Sequence, residues 1–224
     1  MLKAALIIAR KDLRLTAERS AGLAQAAALG LLLIFLFSLS LVPGQRMSAQ
    51  GAAAVFWMAS AFCQVIIFGM LYGYEGNKGQ KQGLLLAPIP VQSIWLGKAL
   101  AGIAMLACAQ ALFIPAAVIF LGQEPGPAWK AGLAVILICD TGIAVAGSLT
   151  GALAHGQTGK ESLLSILVFP LLAPLFLGGI RVGSSAFGGS DEATGDWLGI
   201  CLAFDAVFTA AALPLFPFAY STDE

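Results

Sequence analysis

The sequence is poor in charged side chains. Only 11% of its 224 residues are Asp, Glu, Lys or Arg, whereas about a quarter of the residues in a soluble domain are charged. Its twelve basic residues are balanced by twelve acidic ones, so the chain lacks the basic excess typical of nucleic-acid-binding proteins. The composition therefore favours a membrane protein, and we predict no nucleic-acid partner.

Histidine and cysteine are equally scarce. The sole histidine is His155, and each of the four cysteines lies alone in a different apolar run. Because no Cys-x-x-Cys or Cys-x-x-Cys-His pattern occurs, neither a zinc site nor covalent haem attachment is indicated. A metal or haem site needs more than one such ligand, and no Ser-His-Asp triad can be assembled because His155 lies away from any plausible nucleophile. We predict no catalytic residue, no metal and no cofactor bound by this chain.

A nucleotide-binding loop is missing as well. The run from Ala154 to Ser162 approaches the P-loop pattern, but Ala154 stands where glycine is required and Glu161 where serine or threonine is required. Glu161 would place a negative charge where the magnesium-binding hydroxyl belongs. ATP is therefore not expected to bind this chain by that route.

Apolar residues make up 59% of the chain, and its mean hydropathy is +0.89. They form six runs, each about long enough to cross a bilayer as a helix. The runs cover approximately residues 21–42, 52–74, 94–121, 131–154, 163–180 and 197–218. The predicted fold is an all-α membrane protein with six transmembrane helices in a single permease domain, residues 1–224.

Basic residues are distributed unevenly between the two sides of this topology. Nine Lys or Arg lie in or beside residues 1–19, the 75–93 loop and the turn after the fourth span, against three on the other side. The positive-inside rule therefore places both termini in the cytoplasm. Within residues 1–19, Leu2, Leu6, Ala9 and Leu13 recur at helical spacing, which favours an amphipathic helix in the lipid headgroup region. The alternative is a basic tail that only sets the topology.

The loop of residues 75–93 is polar at its start and apolar at its end. Three consecutive leucines follow a polar stretch and are closed by two prolines. Such a segment between two spans is typical of a cytoplasmic docking element. The candidate contact residues are Glu75, Lys78, Lys81, Leu84, Leu85 and Pro88.

Two carboxylates, Asp140 and Asp205, lie near the middles of the fourth and sixth spans. A charge at that depth is costly unless it is partnered, so both side chains should face the bundle or a hydrated cavity. Either they serve a coupling or substrate path, or they fasten one helix to another by hydrogen bonds. The sequence leaves both interpretations open.

Taken together, these features resemble the permease subunits of ABC-2-type exporters. The motif Leu84-Leu-Leu-Ala-Pro88, followed by Leu96-Gly-Lys98, is similar to the cytochrome c maturation protein B family, the haem exporter B permease. The runs Gly147-Ser-Leu-Thr-Gly-Ala-Leu153 and Ser165-Ile-Leu-Val-Phe-Pro-Leu-Leu-Ala-Pro174 resemble that family's fourth and fifth spans. The resemblance covers essentially the whole chain.

The resemblance implies a multi-pass protein of the bacterial inner membrane that exports haem or releases a haem chaperone during c-type cytochrome maturation. ATP would be hydrolysed by a separate subunit docked on a cytoplasmic coupling helix in the 75–93 loop. Further expected partners are a haem-handling multispan membrane protein, a small single-span subunit, a second copy of this chain and membrane lipid. The family usually has acidic residues on both sides of a loop glycine, where this chain has Lys78, Gly79 and Gln82, so a matching change on the ATPase is expected.

Two other functions stay open at this point. One is an ABC-2 permease for another amphiphilic substrate. The other is a membrane scaffold that transports nothing and couples ATP hydrolysis to remodelling of a haem-chaperone complex.

Overall fold

A computed structural model describes residues 1–19, 21–42, 44–75, 78–154, 170–189 and 194–221. Throughout these ranges the secondary structure is helical and no strand occurs. The helices are α1 (Leu2–Glu18), α2 (Ala21–Leu39), α3 (Ala49–Gly73), α4 (Lys78–Leu85), α5 (Gln92–Phe120), α6 (Trp129–Ala154), α7 (Ala173–Ala186) and α8 (Thr194–Ser221).

Five of these helices, α2, α3, α5, α6 and α8, are long and apolar enough to cross a membrane. The all-helical membrane class is thus supported, and these five lie within about one helical turn of the predicted spans. Some boundaries differ by a few residues from the predicted ones. For example, α3 begins three residues before the predicted residue 52, because the Ser48 hydroxyl accepts a hydrogen bond from the Gly51 amide at 3.1 Å.

The predicted fifth span, residues 163–180, is only partly described. Residues 163–169 lie outside the described ranges, as do His155 and all of the P-loop-like run except Ala154. Helix α7 has 14 residues and continues to Ala186, beyond the predicted end at residue 180. At 1.5 Å per residue it is about 21 Å long, less than the roughly 30 Å of a bilayer core. The number of six spans stays a prediction.

Helix α1 packs against the start of α5 and buries Ala5, Ile8, Ala9, Asp12 and Thr16. Gly97 makes this close approach possible, because a Cβ atom there would lie 2.8 Å from the Ala5 carbonyl oxygen and from the Ile8 side chain. The opposite side of α1 exposes apolar residues, namely Leu2, Leu6, Ile7 and Leu13. Ala9, one of the four residues of the predicted apolar pattern, lies on the protein-facing side, and the amphipathic character of the helix stays a prediction. Its position in the headgroup region stays a prediction.

Helices α3, α5 and α6 alternate in direction and α8 runs parallel to α6, so the helix ends meet at two ends of the bundle. At one end, called here the α4 end, α1 contacts the start of α5 and Glu75, which follows α3, and the end of α8 contacts Glu75 as well. At the opposite end the Met47 amide donates to the Leu121 carbonyl, and the Gly126 amide to that of Ala186. Which end faces the cytoplasm is a prediction from charge alone.

Candidate functional site

The predicted docking segment contains a short helix, α4, and an apolar residue that projects from its end. Leu86 is 85% exposed, although its amide still donates to the Gln82 carbonyl at 2.9 Å. Leu84 and Leu85 are half-buried and pack against the core of the bundle, whereas Pro88 is exposed. The leucine run therefore divides into two residues that seat the helix and one, Leu86, that is available to a partner.

The two lysines predicted for this site differ in what the structure describes. Lys81 lies over the ring of Tyr220 on α8, with its Nζ atom 5.1 Å from the ring centroid. The helix α4 is thereby in contact with the end of the last helix. The side chain of Lys78 lies outside the described side chains, and its role in docking stays a prediction.

Glu75, the remaining predicted contact residue, lies inside the protein. Only 4% of its surface is exposed, and its carboxylate is bound by three side chains. Lys98 Nζ is 2.9 Å and Lys11 Nζ 3.1 Å from Glu75 Oε1, and the Tyr220 hydroxyl donates to Oε2 at 2.6 Å. Glu75 is therefore placed to hold helices together rather than to touch another subunit.

Asp12 completes this group on the α1 side. Its carboxylate pairs with Lys11 at 3.0 Å and with Lys98 at 3.5 Å. Lys98 is fully buried and also donates to the Leu71 carbonyl at 2.7 Å, while its Nζ lies 4.8 Å from the centre of the Tyr72 ring. We call Lys11, Asp12, Glu75, Lys98 and Tyr220 the ionic cluster; it joins α1, α3, α5 and α8.

Charge balance makes this burial possible. Two carboxylates face two ammonium groups, and a buried ion pair is tolerated only when its charges are paired and further hydrogen-bonded. Removing water costs free energy, and the extra donors and acceptors from Tyr220 and Leu71 offset part of it. Because loss of one member would leave its partner buried and unpaired, the stability of the cluster depends on each of its charged side chains.

The surroundings also set the protonation of Glu75 and Lys11, which lie outside the spans. Burial alone would raise the pKa of Glu75, but Lys98, the Tyr220 hydroxyl and Lys11 outweigh it and hold that pKa below its ordinary value. Burial would lower the pKa of Lys11, yet Asp12 and Glu75 outweigh it and hold that pKa above its ordinary value. Both groups are thus charged at neutral pH.

A second set of hydrogen bonds connects the cluster to α6. The Tyr72 and Ser148 hydroxyls lie 2.8 Å apart, and Ser148 donates to the Trp95 carbonyl at 3.1 Å. Tyr72 also packs edge-on against Tyr220, with ring centroids 6.4 Å apart. The α4 end of the bundle is therefore a continuous polar and aromatic layer that touches five helices besides α4.

The intramembrane carboxylates, Asp140 and Asp205, do not belong to the ionic cluster, and they share no described hydrogen-bond partner. Asp140 is buried and accepts a hydrogen bond from the Gln110 amide at 2.9 Å, and the same amide lies 3.2 Å from the Ser60 hydroxyl. Asp140 thus ties α6 to α5 and α3, which favours the helix-fastening interpretation. Asp205 faces Gly142 across the α6–α8 contact, and its Oδ1 atom has no hydrogen-bond partner among the described residues. A coupling role for either residue stays a prediction.

Four of the five cluster residues were not predicted from the sequence. The pattern indicated Lys11 and Lys98 only as cytoplasmic charges, and no pattern singled out Asp12 or Tyr220. One signal in the sequence indicated the burial of Asp12. This residue shares a helical face with Ala5, Ile8 and Ala9, which places its carboxylate on the protein-facing side of α1. The described residues contain no group of three side chains suited to a metal ion.

The sequence of this chain is similar to those of known proteins. It matches the model of the family described as "CcmB protein" over residues 3–223. It is 28% identical to "Heme exporter protein B" of Paracoccus denitrificans over 218 residues, which are 97% of this chain and 95% of that protein. Proteins of the same name from Rhodobacter capsulatus and Pseudomonas aeruginosa are each 27% identical, over 93% and 96% of this chain and 93% and 92% of their own lengths. Since the family match extends over nearly its whole length, this chain belongs to the CcmB protein family, as its loop and span motifs predicted.

Proposed function

We propose that this chain is the membrane permease subunit of an ABC exporter that handles haem in c-type cytochrome maturation. The family match and the name shared by its relatives, heme exporter protein B, support the haem assignment. Five apolar helices of membrane length support the permease role. The proposed location is the bacterial inner membrane, with the α4 end in the cytoplasm.

The observation that carries the proposal is the arrangement at the α4 end. Helix α4 presents Leu86 outward, while Leu84 and Leu85 press on the bundle. Beneath it, the ionic cluster holds four helices through buried charges. A separate ATP-binding subunit would dock on α4. Its movement would be transmitted to the spans through the ionic cluster, because breaking one of these buried ion pairs alone costs free energy.

Two routes lead from α4 into the bundle. One runs from Lys81 to the ring of Tyr220 and so to α8. The other runs along the chain from the start of α4 back to Glu75, which is held by Lys11 on α1 and Lys98 on α5. Glu75 would then act in coupling by transmitting displacement, and Leu86 and Pro88 by touching the ATPase.

The charge of the docking surface departs from that expected of the family. Lys81 lies over the ring of Tyr220, so the exposed apolar side chain of Leu86 is the feature that the partner would contact. We therefore expect the ATP-binding subunit to offer an apolar recess there. The haem-handling membrane protein, the small single-span subunit and a second copy of this chain remain partners implied by the family resemblance.

Deletion of the gene, with complementation, tests the function. Without this chain the host should lose covalently bound haem in its c-type cytochromes, seen by haem staining of denaturing gels, while non-covalent b-type haem stays at its normal level. Complementation should restore the c-type signal. Unchanged c-type cytochromes would overturn the haem assignment and favour export of another amphiphile.

The scaffold alternative is separated by inactivating the ATPase partner. If haem-loaded chaperone accumulates in the membrane when ATP hydrolysis is blocked, haem has crossed without it, and the complex remodels the chaperone. If no loaded chaperone forms, ATP-driven export is supported.

A further inference from the structure

A cavity of about 200 Å³ lies at the end of the bundle opposite α4. It forms where the start of α3, the end of α5, the start of α6 and the end of α7 converge. Its walls include Phe56 and Trp57 from α3, Ile114 from α5, Trp129 and Leu133 from α6, and Phe187 just after α7. None of the residues assigned above to docking, to the ionic cluster or to the intramembrane carboxylates lines it.

The cavity wall carries no charged side chain. Every lining residue is aliphatic, aromatic, glycine or proline. Apolar cavities of about 150 Å³ remain free of water and accept apolar guests such as benzene, because a water molecule needs two to four polar partners. A peptide segment is equally unsuited, since its backbone groups would be buried without hydrogen bonds. The chemistry of the wall selects an apolar chain.

The position of the opening selects the source of that chain. Trp129 and Leu133 are 51% and 48% exposed, whereas Trp57 at the base is only 1% exposed. One turn further along α6, Leu137 is 65% exposed, so the opening continues into an apolar face of a helix long enough to span the membrane. The medium at such a face is the hydrocarbon of the bilayer.

A basic residue stands beside the opening. Lys130 is exposed, and its Nζ atom lies 5.8 Å from the centre of the Trp129 ring. Tryptophan and lysine at a helix end are typical of the membrane interface, where the ring sits at headgroup level and the ammonium group reaches the aqueous side. The pair thus places the opening within reach of a phospholipid headgroup.

We propose that this cavity binds one acyl chain of a phospholipid from the surrounding bilayer, with Lys130 near the headgroup phosphate. The lipid would fill the space between α3, α5, α6 and α7 and so fix the distance between their ends. This inference is independent of the haem function, because it depends only on the shape and chemistry of the opposite end.

Quenching by brominated lipid tests the proposal. The chain has four tryptophans, so two full-length variants are made in which only Trp57 or only Trp95 is kept and the others become phenylalanine. Trp95 is the matched control, because it is 3% exposed and lies at the α4 end, away from the cavity. In vesicles of phosphatidylcholine with brominated acyl chains, Trp57 should be quenched several-fold more than Trp95. Equal, weak quenching of the two would overturn the proposal.

A filling variant provides the second measurement. Ala186 lines the cavity, and Ala186→Phe in the Trp57-only chain should reduce quenching to the level of the Trp95-only chain. Quenching that persists in this variant would show that lipid reaches Trp57 by another path. Haem is the other candidate guest; if added haem quenches Trp57 in vesicles whose brominated lipid does not, the site is for haem and not for an acyl chain.

Discussion

At the scale of single residues, Lys98 has the most constrained position at the α4 end. Its ammonium group is fully buried and is surrounded by two carboxylates, a backbone carbonyl and an aromatic ring. Truncating one partner of a buried ion pair leaves the other charged groups without compensation. The free energy of unfolding should therefore depend on Lys98 far more than on an exposed lysine.

We expect Lys98→Met to lower the free energy of unfolding by about 3–5 kcal/mol. The measurement is thermal unfolding of the purified chain in detergent. The double variant Lys98→Met, Glu75→Gln should regain part of that loss, because it removes one of the carboxylates left unpaired.

Arg46→Met is the matched control for this comparison. Arg46 pairs with Glu124 at 2.6 Å, but the two side chains are 67% and 73% exposed. An exposed pair of this kind contributes about 0–1 kcal/mol. Equal losses for Lys98→Met and Arg46→Met would contradict the view that the ionic cluster stabilises the bundle.

The identity of the cluster was only partly predictable at this scale. Glu75 was noticed because it stands in a polar loop, but its buried position depends on Lys98 and on Tyr220, which lies 145 residues further along the chain. Lys98 and Asp12 are 86 residues apart. Contacts of that range are fixed by helix packing, and neither residue type nor local spacing indicates them.

At the scale of elements, the sequence predicted the long helices well because each contains a long apolar run. The docking helix was predicted to exist, but not its orientation. Successive helical residues differ by about 100° around the axis, so Leu84, Leu85 and Leu86 cover most of the circumference. Which of them faces outward is decided by the anchors at Glu75 and Lys81, whose partners lie on other helices.

The orientation of α4 leads to a test of docking. Leu86→Ser should reduce co-purification of the ATP-binding subunit several-fold, because it removes the most exposed apolar side chain of the segment. The measurement is recovery of that subunit with the tagged, co-expressed chain. Leu137→Ser is the control, since Leu137 is 65% exposed on α6 and lies outside the segment. Undiminished recovery with Leu86→Ser would exclude Leu86 from the docking surface.

The originally predicted pair, Leu84 and Leu85, gives a different expectation. Both pack against the core, so replacing them by serine should lower the thermal stability of the chain along with ATPase recovery. Leu86→Ser should change recovery alone.

At the scale of the whole molecule, the opposite pKa shifts of Glu75 and Lys11 define a pH range of stability. The pKa of Glu75 is lowered by folding, so its contribution is present above its unfolded value of about 4.3 and is lost as pH falls through its folded value. The pKa of Lys11 is raised, so its contribution is present below about 10.4 and is lost as pH rises through its folded value. Between these limits Glu75 and Lys11 are both charged.

We therefore expect the unfolding temperature in detergent to fall as the pH is lowered below about 4.3, and to fall less in Glu75→Gln, which has no carboxyl group to protonate. On the alkaline side, Lys11→Met should lose less stability than the unchanged chain as pH rises past about 10. Parallel curves for the unchanged chain and both variants would contradict these assignments.

The Tyr220–Glu75 hydrogen bond also constrains the order in which the protein is made. Glu75 is synthesised 145 residues before Tyr220, which at 5–20 residues per second is an interval of roughly 10 s. During it, Lys11 and Lys98 are the cluster cations that can pair with that carboxylate, so we expect α1 to dock beside Glu75 before α8 is in place. Helix α1 would then hold the end of α3 in position until α8 is inserted.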